Sequence, residues 1–287
     1  MKIISTQGLT HLYSKGTPFE VAAIRDISVD IEEGALVGII GATGSGKSTF
    51  IQHLNGILKP EAGKVYLEGR DIWEDKKSIR ETRFKVGLCF QYPEYQLFEE
   101  TVYKDISFGP RNMKLPQDEI DRRVRTAADY VGLGEEALGK SPFDLSGGEK
   151  RRAAIAGVMA MEPKVLILDE PTAGLDPSGR RKILKLIADY RVRTGSTVIL
   201  VSHSMEDVAA LATSVILMHR SSVVMQGTVE EVFTQGGLLK SMGLNVPQVT
   251  EIFEGLRARG LPVSDRIFTI EQGLDELLRF YGKEAVR

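Results

Sequence analysis

Leu36-Val37-Gly38-Ile39-Ile40 and the run that follows it, Gly41-Ala42-Thr43-Gly44-Ser45-Gly46-Lys47-Ser48-Thr49, decide the fold. The first five residues are a continuous apolar run, the pattern of a strand buried on both faces of a parallel sheet. From Gly41 to Ser48 every required position of the phosphate-loop pattern is filled, between that strand and a helix carrying Phe50, Ile51 and Leu54. Glycines there let backbone N–H groups converge on phosphate oxygens, and the helix start adds its positive dipole end. Lys47 is expected to reach the β- and γ-phosphates of ATP, and Ser48 to ligate Mg²⁺. A chance glycine-rich turn would lack the strand before it and the helix after it.

Two further stretches extend this chemistry. Lys164-Val165-Leu166-Ile167-Leu168-Asp169-Glu170 is an apolar strand ending in two acids. Asp169 is expected to hold the Mg²⁺ shell, and Glu170 to orient and deprotonate an attacking water. Apolar strands ending in acids are common, so this reading draws its force from the phosphate loop. Leu145-Ser146-Gly147-Gly148-Glu149 opens a helix with a serine and two glycines, a second anion-binding N-terminus. Alone it would be an ordinary capped helix. In a chain that already holds one phosphate site, it is available to a neighbour's nucleotide.

The remaining pattern is α/β. The first ~34 residues read as strands and turns, with further short strands at 65–67 and 86–90. Ile120, Val124, Ala127 and Val131 mark a helix, and another covers Gly147 to Met161 before Pro163. Thr197 to Val201 and Val215 to Met218 are strands, with a helix lined by Ile183, Leu186, Ile187 and Tyr190 before them. Alternating strands and helices imply a parallel sheet covered on both sides. We therefore expect a unit over 1–227, with a helical part at about 92–162, and a small helical extension over 228–287. In the extension, Val249, Ile252, Phe253 and Leu256 form an apolar stripe, which packs either against a partner or within the chain.

Of the 287 residues, 42% are hydrophobic and 26% charged, and the net charge is −2. That balance fits a globular protein with a large core, and excludes general disorder and a broad electrostatic grip on nucleic acid. The single cysteine, Cys89, can form no internal disulfide and reads as a small buried hydrophobe. No apolar run approaches the ~20 residues of a membrane span, so a cytosolic protein reaching membranes through a partner is expected. Trp73, Met205, Met225, His11, His53 and His219 read as packing or surface residues.

Taken with these motifs, Tyr13, Gln91, Gly174-Leu175-Asp176 and His203 make the chain resemble the ATP-binding cassette (ABC) ATPases in the family's order. The resemblance implies a P-loop NTPase fold with a RecA-like core, a β-rich N-terminal subdomain and a helical signature subdomain. It implies that Tyr13 stacks on adenine and Gln91 watches Mg²⁺ and the γ-phosphate. Asp176 would cross a dimer interface, and His203 would contact the γ-phosphate. Glu149 departs from the glutamine of many cassettes; both residues can interact near the helix start, and no loss of function is expected.

Phe90 to Phe98, Ala154-Ile155-Ala156-Gly157, Tyr13 to Ile24 and Val246 to Thr250 resemble the ATPases of energy-coupling-factor (ECF) importers, most closely the second of the two paralogues. This implies ATP and Mg²⁺ as cofactors, a second cassette (paralogue or identical copy), and an integral-membrane scaffold with coupling helices. A substrate-binding membrane subunit would be engaged only indirectly, at the cytoplasmic face, to import vitamins or transition-metal ions. Alternatives are a conventional ABC importer ATPase and a soluble ABC ATPase without a transport role. Against the soluble reading, the stretch between Lys47 and Ser146 is too short for a long coiled-coil insertion and no basic excess is present. A small-molecule kinase would leave Ser146 to Glu149 without a task. Tyr92 to Glu100 combines aromatics with Glu94, Glu99 and Glu100 and no basic residue, so it is expected to receive arginine-bearing coupling helices. The alternative is a solvated acidic loop.

Overall fold

The apolar run that opens the phosphate-loop segment is a fully buried strand, and the chain folds around it. A computed structural model describes residues 1–284; the last three residues of the expected 228–287 extension lie outside the described residues. In chain order the first elements are β1 (Lys2–Tyr13), β2 (Val21–Ile27), β3 (Asp30–Glu32), β4 (Leu36–Ile40) and α1 (Lys47–Leu54). They are followed by β5 (Ala62–Leu67), β6 (Arg70–Asp71), α2 (Lys76–Lys85) and β7 (Val86–Cys89). A helical stretch comes next, with α3 (Val102–Asn112), α4 (Gln117–Tyr130), α5 (Glu135–Leu138) and α6 (Gly147–Met159). The chain returns to the sheet through β8 (Val165–Asp169), α7 (Pro177–Thr194), β9 (Thr197–Val201), α8 (Met205–Leu211), β10 (Ser214–His219) and β11 (Ser222–Thr228). It ends in α9 (Val229–Phe233), α10 (Gly236–Ser241), α11 (Gln248–Ala258) and α12 (Ile270–Glu284).

The central sheet runs β11-β10-β4-β9-β8-β7, parallel except for β11. Its strands divide their side chains between two faces, as a two-residue period requires. Val37 and Ile39, with Ile167, Ile199 and Val201, pack against Phe50 and Leu54 of α1 and the N-terminal strands. Leu36, Leu166, Leu168, Val198 and Leu200 face the helical stretch and α7. A second sheet, β2-β1-β5-β6 with β3 also on β1, is antiparallel. The expected strand at 65–67 therefore belongs to that sheet, whereas 86–89 edges the parallel one.

Helix α2 was not expected from the sequence because it has almost no apolar stripe. Asp75 caps it, accepting from the Ser78 N–H at 2.6 Å. The tail does not stand apart at its start. Val232, Phe233, Leu239, Leu244, Val246 and Phe268 share a core with Ile40, Val215 and Leu217 of β4 and β10. Beyond them, Phe253, Val263 and Ile267 form a small core that Val249 and Leu256 pack against. Three residues of the tail's stripe thus pack within the chain, while Ile252 stays 60% exposed.

Candidate active site

Helix α1 begins where β4 ends, so the phosphate loop spans the edge of the sheet at the C-terminal ends of parallel strands, where α/β folds bind ligands. Its N-cap, Gly46, has φ 101° and no side-chain cap, and the first turn holds no acid. A Cβ at Gly46 would lie 2.3 Å from the Ala23 carbonyl oxygen, so only glycine fits. The first-turn N–H groups are therefore open to an anion.

A cleft of about 830 Å³ gathers Gly41, Ala42, Thr43, Gly44, Gly46, Lys47, Ser48 and Thr49 with Gln91, Asp169, Glu170 and His203. Ser45 lies behind the loop with its hydroxyl buried. The Lys47 ammonium donates to the Gly41 carbonyl at 2.6 Å and the Ala42 carbonyl at 3.2 Å. Burial lowers its pKa, against the opposing pull of Glu170 and Asp169. The Ser48 hydroxyl donates to an Asp169 oxygen at 3.1 Å. Burial holds the Asp169 carboxyl above its ordinary range, against that hydrogen bond. With Gln91 lining the same cleft, these oxygen donors fit a hard divalent cation such as Mg²⁺.

Glu170 is 8% exposed, sits at φ 50°, and is anchored by its N–H donating to the Val201 carbonyl at 2.9 Å. This strained turn brings its carboxylate to 2.7 Å from the His203 Nδ1. Behind it, Asp207 accepts from the Thr172 hydroxyl at 2.9 Å and from the Arg180 Nε at 2.7 Å, tying the segment after Glu170 to the one after His203.

Tyr13 stands at the end of β1, 44% exposed, and its hydroxyl lies 3.3 Å from the Thr49 hydroxyl. Ser146, Gly147, Gly148, Glu149 and Asp176 do not line the cleft. Ser146 and Asp176 cap α6 and α7, with Asp176 accepting from the Gly179 N–H at 2.9 Å. The sequence reading missed cleft residues that only the fold brings in: Val21 to Ala23 and Ser221 from strand ends, Met205 from α8, and Gly243, Leu244 and Asn245 from the tail. No local motif marks them.

Each carboxylate of the stretch 92–100 already has a cationic partner within the chain. Glu94 pairs with Arg151, Glu99 with Arg111 and Glu100 with Lys104. Those partners come from α3 and α6, beyond the quoted stretch. The aromatics are exposed as expected, Tyr95 at 84% and Phe98 at 62%.

The family profile described as ABC transporter matches residues 24–173. The chain belongs to the ABC transporter family. Within that family, this cassette is 53% identical over 283 residues to the energy-coupling factor transporter ATP-binding protein EcfA2 of Clostridium tetani, covering 98% of both chains. It is 54% identical to EcfA2 of Clostridium perfringens, over 96% of this chain and 97% of that one. Among solved structures, it resembles cbiO1 of Clostridium perfringens, part of the ABC transporter complex cbiONQ, with TM-score 0.75 and 41% identity over 88% of this chain and 99% of that chain. It also resembles the cassette MJ0796 as a post-hydrolysis dimer bound to ADP and Pi, with TM-score 0.70 and 26% identity over 79% and 98% of the two chains. Among the described residues, no helix is long and apolar enough to cross a membrane.

Proposed function

We propose that this chain is the ATP-binding and ATP-hydrolysing subunit of an ECF-type importer, acting at the cytoplasmic face of the membrane in a pair of cassettes. One observation carries the reading: the cleft holds Lys47, Ser48, Asp169, Glu170 and His203, while the helix start at Ser146 lies outside it. Each cassette is half a site, completed by the Ser146–Glu149 face of a paralogue or a second copy.

Lys47 and the N–H groups of Gly44 to Ser48 bind the phosphates, and Tyr13 offers its exposed ring to adenine. Ser48, Asp169 and Gln91 would hold Mg²⁺, which supplies charge neutralisation between the phosphates. The Glu170 oxygen bonded by His203 is fixed, leaving its other oxygen to accept a proton from the water that attacks the γ-phosphate. Asp176 faces the partner cassette. Closure on ATP and opening after hydrolysis bias a two-state element that moves membrane helices.

The scaffold docks in the groove between α3 and α6, lined by Leu97, Phe98, Phe108, Ala154, Gly157 and Met161. Its polar acceptor is Asp105, 8% exposed, which receives the Phe98 and Glu99 N–H groups on one oxygen and has no partner among the described residues on the other. Burial raises that carboxyl's pKa, so an arginine arriving from a coupling helix would stabilise its ionised form. The membrane subunit that captures vitamin or metal ion would touch the scaffold rather than this chain.

Glu170→Gln tests the reading. It should bind ATP, lose hydrolysis by roughly 10²-fold or more, and accumulate as an ATP-held dimer in sedimentation. Near-normal turnover would remove Glu170 from the reaction.

A further inference from the structure

Arg151, in the second turn of α6, is 3% exposed, an unusual burial for a guanidinium. Its Nε and Nη2 donate to the two Glu94 oxygens at 3.0 and 2.7 Å, a bidentate fork. Its Nη1 donates to the Ala173 carbonyl at 2.6 Å and the Pro171 carbonyl at 3.4 Å. The cation also sits 5.8 Å from the centre of the Tyr92 ring. Burial pushes the Glu94 carboxyl up, and Arg151 together with a backbone hydrogen bond outweighs it, leaving it below its ordinary range.

One planar group thus fixes three segments. Tyr92 to Glu94 directly follow Gln91; Pro171 to Ala173 directly follow Glu170; α6 begins just after its cap Ser146. Gln91 and Glu170 line the chain's own cleft, whereas Ser146 does not. A buried ion pair adds little net stability against an apolar packing of the same volume, so its main consequence here is registration. Lysine could keep the charge but could not form the fork and reach the carbonyls together.

We propose that Arg151 is a positioning residue that locks the start of α6 to the Gln91 and Glu170 segments. A cassette's own cleft and the face it offers its partner's nucleotide then move as one body. The inference rests on the two-cassette reading above. It makes Arg151 the carrier of coupling between two ATP sites rather than a contributor to either.

The test uses the full-length chain in the complex it forms in its native membrane, with Arg151→Lys, Glu94→Gln and the pair. ATP turnover is read as kcat, KM and Hill coefficient. Each single variant should lower kcat roughly tenfold, within the range of mutations along a coupling network, with KM within roughly twofold. The Hill coefficient should fall from above one to one, and the double variant should be no worse than either single, because both break the same clamp. A purely structural role would reduce the amount of active complex but leave KM and the Hill coefficient alone. Unchanged kcat, additive losses, or full function in Arg151→Lys would each overturn the clamp. Should Arg151→Lys not fold, Glu94→Gln decides alone, since Arg151 keeps both carbonyl partners. A complex of the unaltered chain without ATP turnover would overturn the importer reading and the clamp together. Normal cooperative turnover in both single variants would overturn the clamp only.

Discussion

Helices α1 and α6 both carry glycine at their starts, Gly46 as the cap of one and Gly147-Gly148 in the first turn of the other, yet their N-termini are prepared for an anion in opposite ways. The start of α1 is capped by a left-handed glycine with no side chain on its N–H groups and no acid in its first turn. The start of α6 is closed by a capping box, in which Ser146 accepts from the Glu149 N–H and the Glu149 carboxylate accepts from the Ser146 N–H. An open helix start is ready for a resident phosphate. A self-capped one sets a carboxylate beside the Gly147 and Gly148 N–H groups that a phosphate would take. The first suits a nucleotide held by the chain itself, the second a nucleotide met conditionally across an interface.

Removing the cation at the open end is the largest way to break this contrast. Lys47→Ala should lower ATP turnover by roughly 10²-fold or more, the scale of deleting a charge-stabilising donor at a developing anion. Nucleotide affinity, read by calorimetry on the purified chain, should fall with it. Retained affinity together with retained turnover would mean that the N–H groups of α1 suffice without Lys47.

The next effect separates the two helices by pH. Helix α1 carries His53, which is fully buried, bonded through Nδ1 to the Thr49 carbonyl at 2.7 Å, and set edge-on to His11 at 4.8 Å. Burial pushes its pKa from 6.5 down to about 4, so the folded chain holds it neutral. Between those values the unfolded chain binds the extra proton, and stability rises with pH. The contribution is fully present above 6.5 and is lost as pH falls towards about 4, a loss of roughly 3 kcal/mol in all. Denaturant unfolding at pH 7 and pH 5 should show this slope, and His53→Gln should flatten it. Helix α6 has no histidine and contributes no such imidazole step.

How much of this was legible follows from sequence distance. The phosphate loop was readable because strand, glycines, Lys47 and helix lie within one local stretch. Asp169 and Glu170 were readable because an apolar strand carries them to the same edge of the sheet. Arg151 was not: its carboxylate partner lies 57 positions away, and nothing local distinguishes it from Lys150 or Arg152. Glu94 and Glu99 read as free acids for the same reason. Asn245 could be found only by folding the tail onto β4 and β10. Helix α2 escaped because its stability comes from a cap and packing rather than from a stripe.

The smallest effect bears most directly on the contrast. In α6 the Glu149 carboxylate accepts from the Ser146 N–H at 2.9 Å and the Ser146 hydroxyl at 2.6 Å, and these bonds hold its pKa below the ordinary range. It is therefore ionised at neutral pH, a negative charge at the helix start that the two-cassette proposal sets against a partner's phosphate. Glu149→Gln keeps an acceptor for the Ser146 N–H, since either residue completes the box, but removes the like charge. Folding stability should hardly change, while the ATP concentration needed for pairing should fall by up to about fivefold, the scale of one charge at an exposed helix end. Sedimentation in a Glu170→Gln background measures that midpoint without turnover. The difference should shrink at high salt, because the site is exposed and screened. If pairing instead weakens in the glutamine variant, the carboxylate assists the partner's nucleotide, and the self-capped end of α6 is a contact surface rather than a gate.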